Sequence, residues 1–563
     1  MSRATVLFLT VWLCVVATAQ NRPLIPRLGE TIEVSIVNVD VVVTDRNGNH
    51  IHGLTRNDFE IHEDGKLQSV SNFAEYSGGQ ENSTPSTEAP ATSHAPRPKR
   101  TILVFIDHVA QLSPDKEIFF ASLKTLLHET IGPGDVVSVV SWKRMLVTRL
   151  PFTQDLTALD RVLAKLEAES ASYFPDPDVH ARFYNIDVEA DRMWRSEAIA
   201  IAKAQGVTLS YADIESQSGP DVAKFETIEM RKKLHAIQSL VTGLSGFDGR
   251  KVLVLAVNHL ALVSGESKEG TGRGSDYDMF GSIEGLGRIA ATNNITIYPL
   301  FLYGPVKFTA SPAVLSAEHP PPRANPDSNE TSFATNPFTR SPVDAPKAFA
   351  AMVPIARRTG GAVSIGAENF AARVSSIRED LDSYYSLAYR ATTSGSGAGH
   401  SIVVKMTNPD YVARYRRDYV DKPPVARMQD RVVSSLLQEA SGTTIPISVI
   451  AGPARRQGRK RWMIPIHVEI PTASLTTIHE KGIGTGAFSV YIAWSGILGD
   501  LSEATRQTRT FRIPDAQRGA VRDHFDYDFP LEVDERTKSL VIGVVDEVSQ
   551  ELGIQKVDLP PRS

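Results

Sequence analysis

The sequence predicts an α/β protein with a mostly parallel, doubly wound sheet, flanked by an N-terminal and a C-terminal all-β module. Three observations favour this fold class. Strands alternate with amphipathic helices over residues 101–390, and two of those strands are apolar along their whole length. Outside this region the apolar residues tend towards a period of two. Continuous apolar strands are typical of a parallel sheet that helices cover on both faces.

Residues 1–19 have the pattern of a secretory signal peptide. Arg3 gives a positive start, residues 6–16 form an apolar core, and small residues precede Gln20. This apolar run is short for a membrane span, which needs roughly 20 residues. Cys14 is the only cysteine, so the exported chain would contain neither a disulfide nor a thiolate site. We therefore expect an extracytoplasmic protein, either periplasmic or secreted.

Residues 30–76 predict a small β module, because apolar and polar residues largely alternate at its start. Turns are expected at Asp45–Gly48, where Asn-Gly favours a hairpin, and at Glu63–Lys66. The acidic residues here lack the spacing of a calcium loop, so we interpret them as turn formers and solvated acids. Residues 77–100 are rich in Ser, Thr, Pro and Ala and predict a linker.

Residues 101–420 carry the predicted doubly wound domain, with insertions at 170–221 and 305–345 and a terminal β-hairpin of residues 385–389 and 401–406. Residues 421–563 predict a β-sandwich-like domain, because short strands are separated by turns. The elements predicted before the hairpin are strands at 102–106, 136–140, 144–150, 251–257 and 295–301 and helices at 115–130, 156–168, 227–244, 283–292, 348–358 and 370–384.

Polar residues stand where the two fully apolar strands end. Asp107 ends the first strand, and Asn258 follows the second. Open α/β sheets bind their ligands beyond the carboxyl ends of parallel strands. The sequence therefore predicts a site around Asp107.

A series of short segments in residues 30–420 shares one order and spacing with a known family. The segments are Val41–Gly48, Gly53–Glu60, Glu63–Lys66, Gly134–Asp135, Phe152–Asp155, Gly249–Lys251, Thr359–Gly361 and Tyr384–Tyr389. By their order and spacing, more than by any single segment, the chain resembles the von Willebrand factor A-related proteins of the acidobacterial type.

The resemblance implies a von Willebrand factor A-like domain, which holds a divalent cation through Asp-x-Ser-x-Ser and two further loops. Of the residues in this motif, only the first acid is present, as Asp107. Val109 and Gln111 stand at the positions of the two serines. The second acid maps to Asn258, and the third loop falls near residues 170–175. Since Mg²⁺ prefers several hard oxygen ligands, we expect a degenerate metal site and no cofactor. Mg²⁺ or another divalent cation at Asp107 and Asn258 is the alternative.

Two histidines suggest a different metal site. His108 follows Asp107 and His259 follows Asn258, so two imidazoles and a carboxylate could hold Zn²⁺. Alternatively, His108 and His259 line a polar cleft or bond to loop backbone.

We expect an exported, non-enzymatic scaffold that binds a protein partner or acts in adhesion. The signal segment, the resemblance and the lack of a recognisable catalytic motif favour it. The formal net charge of −5 argues against a nucleic-acid partner, and no segment after the signal is apolar enough to cross a membrane. The alternatives are a cation-dependent adhesion module anchored by Asp107, and a metal-dependent enzyme using Asp107, His108 and His259.

Overall fold

The structure is a computed structural model, and it describes thirteen segments of the chain. The predicted signal peptide, the insertion at 305–345 and most of the insertion at 170–221 lie outside them. Within the described segments, no helix is long and apolar enough to cross a membrane. The segments are 36–77, 80–82, 98–107, 116–142, 145–171, 219–257, 280–301, 352–365, 370–391, 395–438, 443–496, 499–516 and 523–559.

The described strands and helices are numbered here in chain order. Before the central sheet come β1 (Ile36–Thr44), β2 (Phe59–Glu63), β3 (Lys66–Gln68), β4 (Val70–Ser77) and β5 (Gln80–Asn82). The central region contains β6 (Arg100–Asp107), α1 (Lys116–Thr130), β7 (Val136–Trp142), β8 (Leu146–Thr153), α2 (Leu156–Ala171), α3 (Gly219–Leu244), β9 (Arg250–Ala256), α4 (Phe280–Thr292), β10 (Ile295–Phe301), α5 (Met352–Thr359), β11 (Ser364–Ile365) and α6 (Phe370–Asp382).

The remaining elements follow α6. They are β12 (Tyr384–Arg390), β13 (Gly399–Met406), β14 (Val412–Tyr415), β15 (Asp418–Val420), α7 (Pro424–Ser434), β16 (Ser448–Ala451), β17 (Arg455–Arg456), β18 (Arg461–Pro471), β19 (Ile478–Glu480), β20 (Ile483–Gly496), β21 (Thr505–Pro514), β22 (His524–Asp534), β23 (Thr537–Asp546) and β24 (Leu552–Asp558).

The central sheet has the order β11-β10-β9-β6-β7-β8. Its strands are parallel except β8, which runs antiparallel to β7 at one edge. The chain moves outwards from β6 to β8 and then returns to place β9 beside β6. This reversal is the strand order of a doubly wound sheet, so the mixed, mostly parallel α/β sheet is confirmed.

Helices cover both faces of this sheet because its inner strands are apolar on both sides. Helices α3, α4 and α5 pack on one face, and α1, α2 and α6 pack on the other. Successive residues of β6 alternate between these cores: Phe105 enters the first, and Val104 and Ile106 enter the second. Full burial of such side chains contributes about 1.5–3 kcal/mol each, which holds β6 rigidly in the centre.

Two further sheets combine strands from before and after the central sheet. Their orders are β14-β1-β12-β4-β5 and β15-β13-β2-β3. Val39 lies opposite Leu387, and Ile61 lies opposite Val404. Both sheets contribute to one apolar core. The predicted small β module therefore shares its sheets and its core with residues 384–420.

The predicted hairpin of residues 385–389 and 401–406 is wrong. Strand β12 lies between β1 and β4, whereas β13 pairs with β2 and β15 in the other sheet. The physical reason is that β1 and β4 occupy both edges of β12, which leaves no edge for β13. By contrast, the turn predicted at Glu63–Lys66 does connect a pair of antiparallel strands, β2 and β3.

The C-terminal region contains two antiparallel sheets that share one core. Strand β18 pairs with β16, β17 and β22, and β20 pairs with β19, β21 and β23. The expectation that residues 421–563 are all β is wrong at their start, where α7 forms. Met428, Val432 and Leu436 recur at helical spacing and pack against β20 and β23.

Asp380 on α6 joins the central domain to the neighbouring β strands. Its fully buried carboxylate accepts hydrogen bonds from His50 Nε2 at 2.8 Å and from Arg414 Nη1 at 2.6 Å. Burial alone would raise the pKa of Asp380, but the His50 hydrogen bond and the Arg414 charge outweigh it and lower the pKa. The carboxylate therefore stabilises the junction while it is ionised.

We expect Asp380→Asn to lower the free energy of unfolding at pH 7 by roughly 3–5 kcal/mol, because it leaves Arg414 without its buried partner. Since the pKa of Asp380 is lowered, its contribution is present above the unfolded pKa and is lost as pH falls through the folded pKa. Denaturant unfolding at several pH values measures both effects. Asp410→Asn is the control, because the Arg46–Asp410 pair is exposed. Equal losses in the two variants would contradict this assignment.

Candidate functional site

Asp107 lies at the point where the order of the central sheet reverses. It is the last residue of β6, and β6 has β9 on one side and β7 on the other. The side chain is only 1% exposed. Crevices at such reversal points are the usual ligand sites of doubly wound sheets. The structure thus places Asp107 at the carboxyl end of the central strand, and its role in a site stays a prediction.

Lys233 on α3 neutralises this carboxylate. Its Nζ donates a short hydrogen bond to Asp107 Oδ2, and its side chain is 11% exposed. A buried carboxylate without a counter-charge would cost several kcal/mol, so the ammonium group is an electrostatic requirement of this position. The positive charge that a bound cation would supply is therefore supplied by the chain itself.

The helical spacing of α3 explains how Lys233 reaches the site. Lys233 follows Met230 by three residues and precedes Ile237 by four, and both of those residues belong to the core. Residues at these spacings share one face of a helix. The aliphatic stem of a lysine can run along such an apolar face while its ammonium group reaches a polar partner.

Sequence reasoning did not identify Lys233. The residue stands in Arg231-Lys232-Lys233, which has the composition of a solvated helix face. The signal that could have found it is its position in the apolar stripe of α3. A lysine on a buried stripe requires a buried anion, and Asp107 ends the strand that this helix covers.

One atom of the site has no hydrogen-bond partner among the described residues. Asp107 Oδ1 is buried and unpaired there, whereas Oδ2 is bonded to Lys233. His108, Asn258 and His259, which sequence analysis placed beside Asp107, lie outside the described residues. Their grouping with Asp107, and any cation they would hold, stay predictions.

Among the described residues, the charged side chains beside the end of β7 are also paired. Ser141 on β7 lies opposite Ile106 and accepts a hydrogen bond from Arg149 Nε at 2.7 Å. Arg149 in turn pairs with Glu169 at 3.0 Å. Internal ion pairs therefore satisfy the described charges at this end of β6 and β7.

Fold and site together define a class: a doubly wound α/β protein whose acid at the sheet reversal is paired with an internal lysine. No protein-family model matches the sequence, and no curated protein matches it either.

Among solved structures, the conserved hypothetical protein BatB of Bacteroides thetaiotaomicron is similar at 12% identity and a TM-score of 0.22, over 50% of this chain and 96% of that one. An aerotolerance-related membrane protein of Bacteroides fragilis gives 13% identity and a TM-score of 0.22, with 50% and 98% covered. A von Willebrand factor type A protein of Catenulispora acidiphila gives 8% identity and a TM-score of 0.20, with 90% and 74% covered. Likenesses this weak carry no conclusion about the function of this chain.

We expect Lys233→Met to lower the free energy of unfolding by roughly 3–5 kcal/mol, because it leaves Asp107 as a buried charge without a partner. The double variant Asp107→Asn/Lys233→Met should lose less than the sum of the single variants, with a coupling energy of about 0.5–3 kcal/mol. Denaturant unfolding of the four proteins measures this cycle. The exposed neighbour Lys232→Met is the control, since surface charges contribute about 0–1 kcal/mol. If the stability losses of the two single variants simply add up in the double variant, Lys233 and Asp107 do not stabilise each other.

We also expect Lys233→Glu to make stability depend on divalent cations. That variant places two carboxylates beside each other, so Mg²⁺ bound between them would raise the melting temperature. Wild type and the control Lys233→Gln should show no such rise, because neither has a second carboxylate at this point. Thermal unfolding with and without 5–10 mM cation, roughly the range that weak sites require, measures the difference. A cation-dependent rise in wild type at Asp107 would contradict the account.

Proposed function

We propose that the chain is an exported, non-enzymatic protein-interaction scaffold of the von Willebrand factor A-related class, and that its central domain binds its partner without a metal ion. The observation that carries the proposal is the Lys233–Asp107 pair. In the family that the sequence resembles, the equivalent acid anchors a cation. Here an ammonium group meets the same carboxylate.

The architecture supports a scaffold. The carboxyl ends of β6, β9 and β10 lie along one edge of a doubly wound sheet, and strands of antiparallel sheets precede and follow this sheet in the chain. Recognition residues are usually found in the segments that follow such strand ends. The partner would contact this edge of the sheet directly, with no cofactor between the two proteins.

The absence of enzymatic activity is part of the same proposal. The pair with Lys233 occupies Asp107 Oδ2, which does not favour a role for this oxygen in activating water. The signal pattern of residues 1–19 supports a periplasmic or secreted location. A metal-dependent hydrolase would instead require His108 and His259, which lie outside the described residues, to converge on Asp107.

The cation-dependent adhesion module is the second candidate. Asp107 Oδ1 is buried without a partner among the described residues, and such an oxygen is a ready cation ligand. Cation binding would have to displace the Lys233 ammonium or add a second positive charge beside it. Because like charges repel strongly in a buried site, we favour the metal-free interaction.

A capture experiment distinguishes the two candidates. The full exported chain is immobilised, and envelope proteins are captured either in EDTA or in Mg²⁺ and quantified by mass spectrometry. We expect the same proteins in both buffers and weaker capture by Lys233→Met than by the control Lys124→Met, whose lysine pairs at the surface with Asp160. Release by EDTA with recovery in Mg²⁺ would instead support the cation-dependent module. Failure to capture any protein specifically would contradict the scaffold.

A further inference from the structure

A second polar cluster joins β2 and β13, which pair within the sheet β15-β13-β2-β3. Glu63 ends β2, Asp64 begins the turn to β3, and His400 lies on β13. His400 Nδ1 is 2.8 Å from Asp64 Oδ2 and 3.3 Å from Glu63 Oε1. The backbone fixes this grouping, because Asp64 N donates to Ser401 O at 3.0 Å and Ser401 N donates to Asp64 Oδ1 at 2.9 Å.

Buried polar atoms without hydrogen-bond partners surround this cluster. Among the described residues, Glu63 Oε2 and His400 Nε2 are buried without a hydrogen-bond partner. The Glu63 side chain is 5% exposed, and the hydroxyl groups of Tyr389 and Tyr419 lie beside its carboxylate. Unpaired buried groups at one point indicate a missing ligand or ion.

The charges of the cluster indicate a cation. A protonated His400 would balance only one of the two carboxylates, whereas a divalent cation bound to neutral imidazole would balance both. Arg416 donates its Nη2 to Asn38 O at 2.6 Å, and Glu63 Oε2 has no hydrogen-bond partner among the described residues.

We infer that Glu63, Asp64 and His400 bind a divalent transition metal ion, with Zn²⁺ as the best match. One nitrogen and two oxygen ligands suit Zn²⁺, and imidazole favours a transition metal over Mg²⁺ or Ca²⁺. Ligand atoms in a tetrahedral zinc site lie about 3.3 Å apart. His400 Nδ1 is 3.3 Å from Glu63 Oε1, and the ion would replace its 2.8 Å hydrogen bond to Asp64. A water molecule would complete the coordination, and the tyrosine hydroxyls would donate hydrogen bonds to the ligating Glu63 carboxylate.

Such an ion would hold together two parts of the chain that are distant in sequence. Residues 63–64 precede the central sheet, and His400 follows it. The ion would therefore cross-link the β2–β3 turn to β13 and stabilise the core that these strands share. This role is independent of the Asp107 site and of the proposed partner interaction.

The test uses the full exported chain without an affinity tag, after removal of metal with a chelator. Zn²⁺ is titrated by calorimetry, and Co²⁺ is added separately to follow its visible absorption. We expect one Zn²⁺ per chain, a higher melting temperature and a tetrahedral Co²⁺ spectrum. His400→Gln and Glu63→Gln should weaken Zn²⁺ binding at least tenfold, since each removes one of three ligands.

His467→Gln is the matched control, because His467 also lies beside acidic side chains but is 33% exposed, against 11% for His400, and it should keep wild-type binding. Asp64→Asn covers the case in which His400→Gln does not fold. Asn also tolerates the left-handed backbone of residue 64, where φ is 48°. No Zn²⁺ binding by folded wild type would overturn the inference, and so would equal affinity in wild type, Glu63→Gln and Asp64→Asn.

Discussion

A carboxylate that is 1% exposed at the end of a central strand requires a positive charge beside it. In this protein the Lys233 ammonium group supplies that charge, and the geometry of the central domain follows from it. Helix α3 must cover the face of β6 with Lys233 aligned to Asp107, which fixes the rotation of the helix over the sheet. Because Met230 and Ile237 share that face, electrostatic pairing and apolar packing favour the same orientation.

The remaining β strands are tied to this central domain by a second set of buried charges. Asp380 binds His50 and Arg414, and Arg250 lies 4.2 Å from the centre of the Tyr384 ring. His50 precedes the central sheet in the sequence, and Arg414 follows it. Because β1 and β12 are separated by the whole doubly wound region, we expect the folded central sheet to favour their pairing by bringing them together.

The sequence contained enough information for the central sheet and for the place of Asp107. Apolar runs at 102–106 and 251–257 identify buried strands, and Asp107 is the first polar residue after one of them. Strand partners were harder to predict, because alternation in β1 defines a buried face but does not define the strand that pairs with it. The hairpin of β12 and β13 was wrong for this reason.

The sequence did not indicate which charged side chains pair with each other at the two sites. Lys233 is 126 residues from Asp107, and His400 is 336 residues from Asp64, so only the fold brings each pair together. Helix α7 could have been recognised, since Met428, Val432 and Leu436 have helical spacing. The contributions of His108, Asn258 and His259 to the Asp107 site stay predictions.

The most direct test of the central claim is a crystal structure of the exported chain grown in Mn²⁺, with anomalous data to locate the ion. The account predicts Lys233 Nζ bonded to the Asp107 carboxylate and no anomalous peak within coordination distance of Asp107. A manganese ion on Asp107 with Lys233 turned away would contradict it. That result would make the cation-dependent adhesion module the better description of this protein.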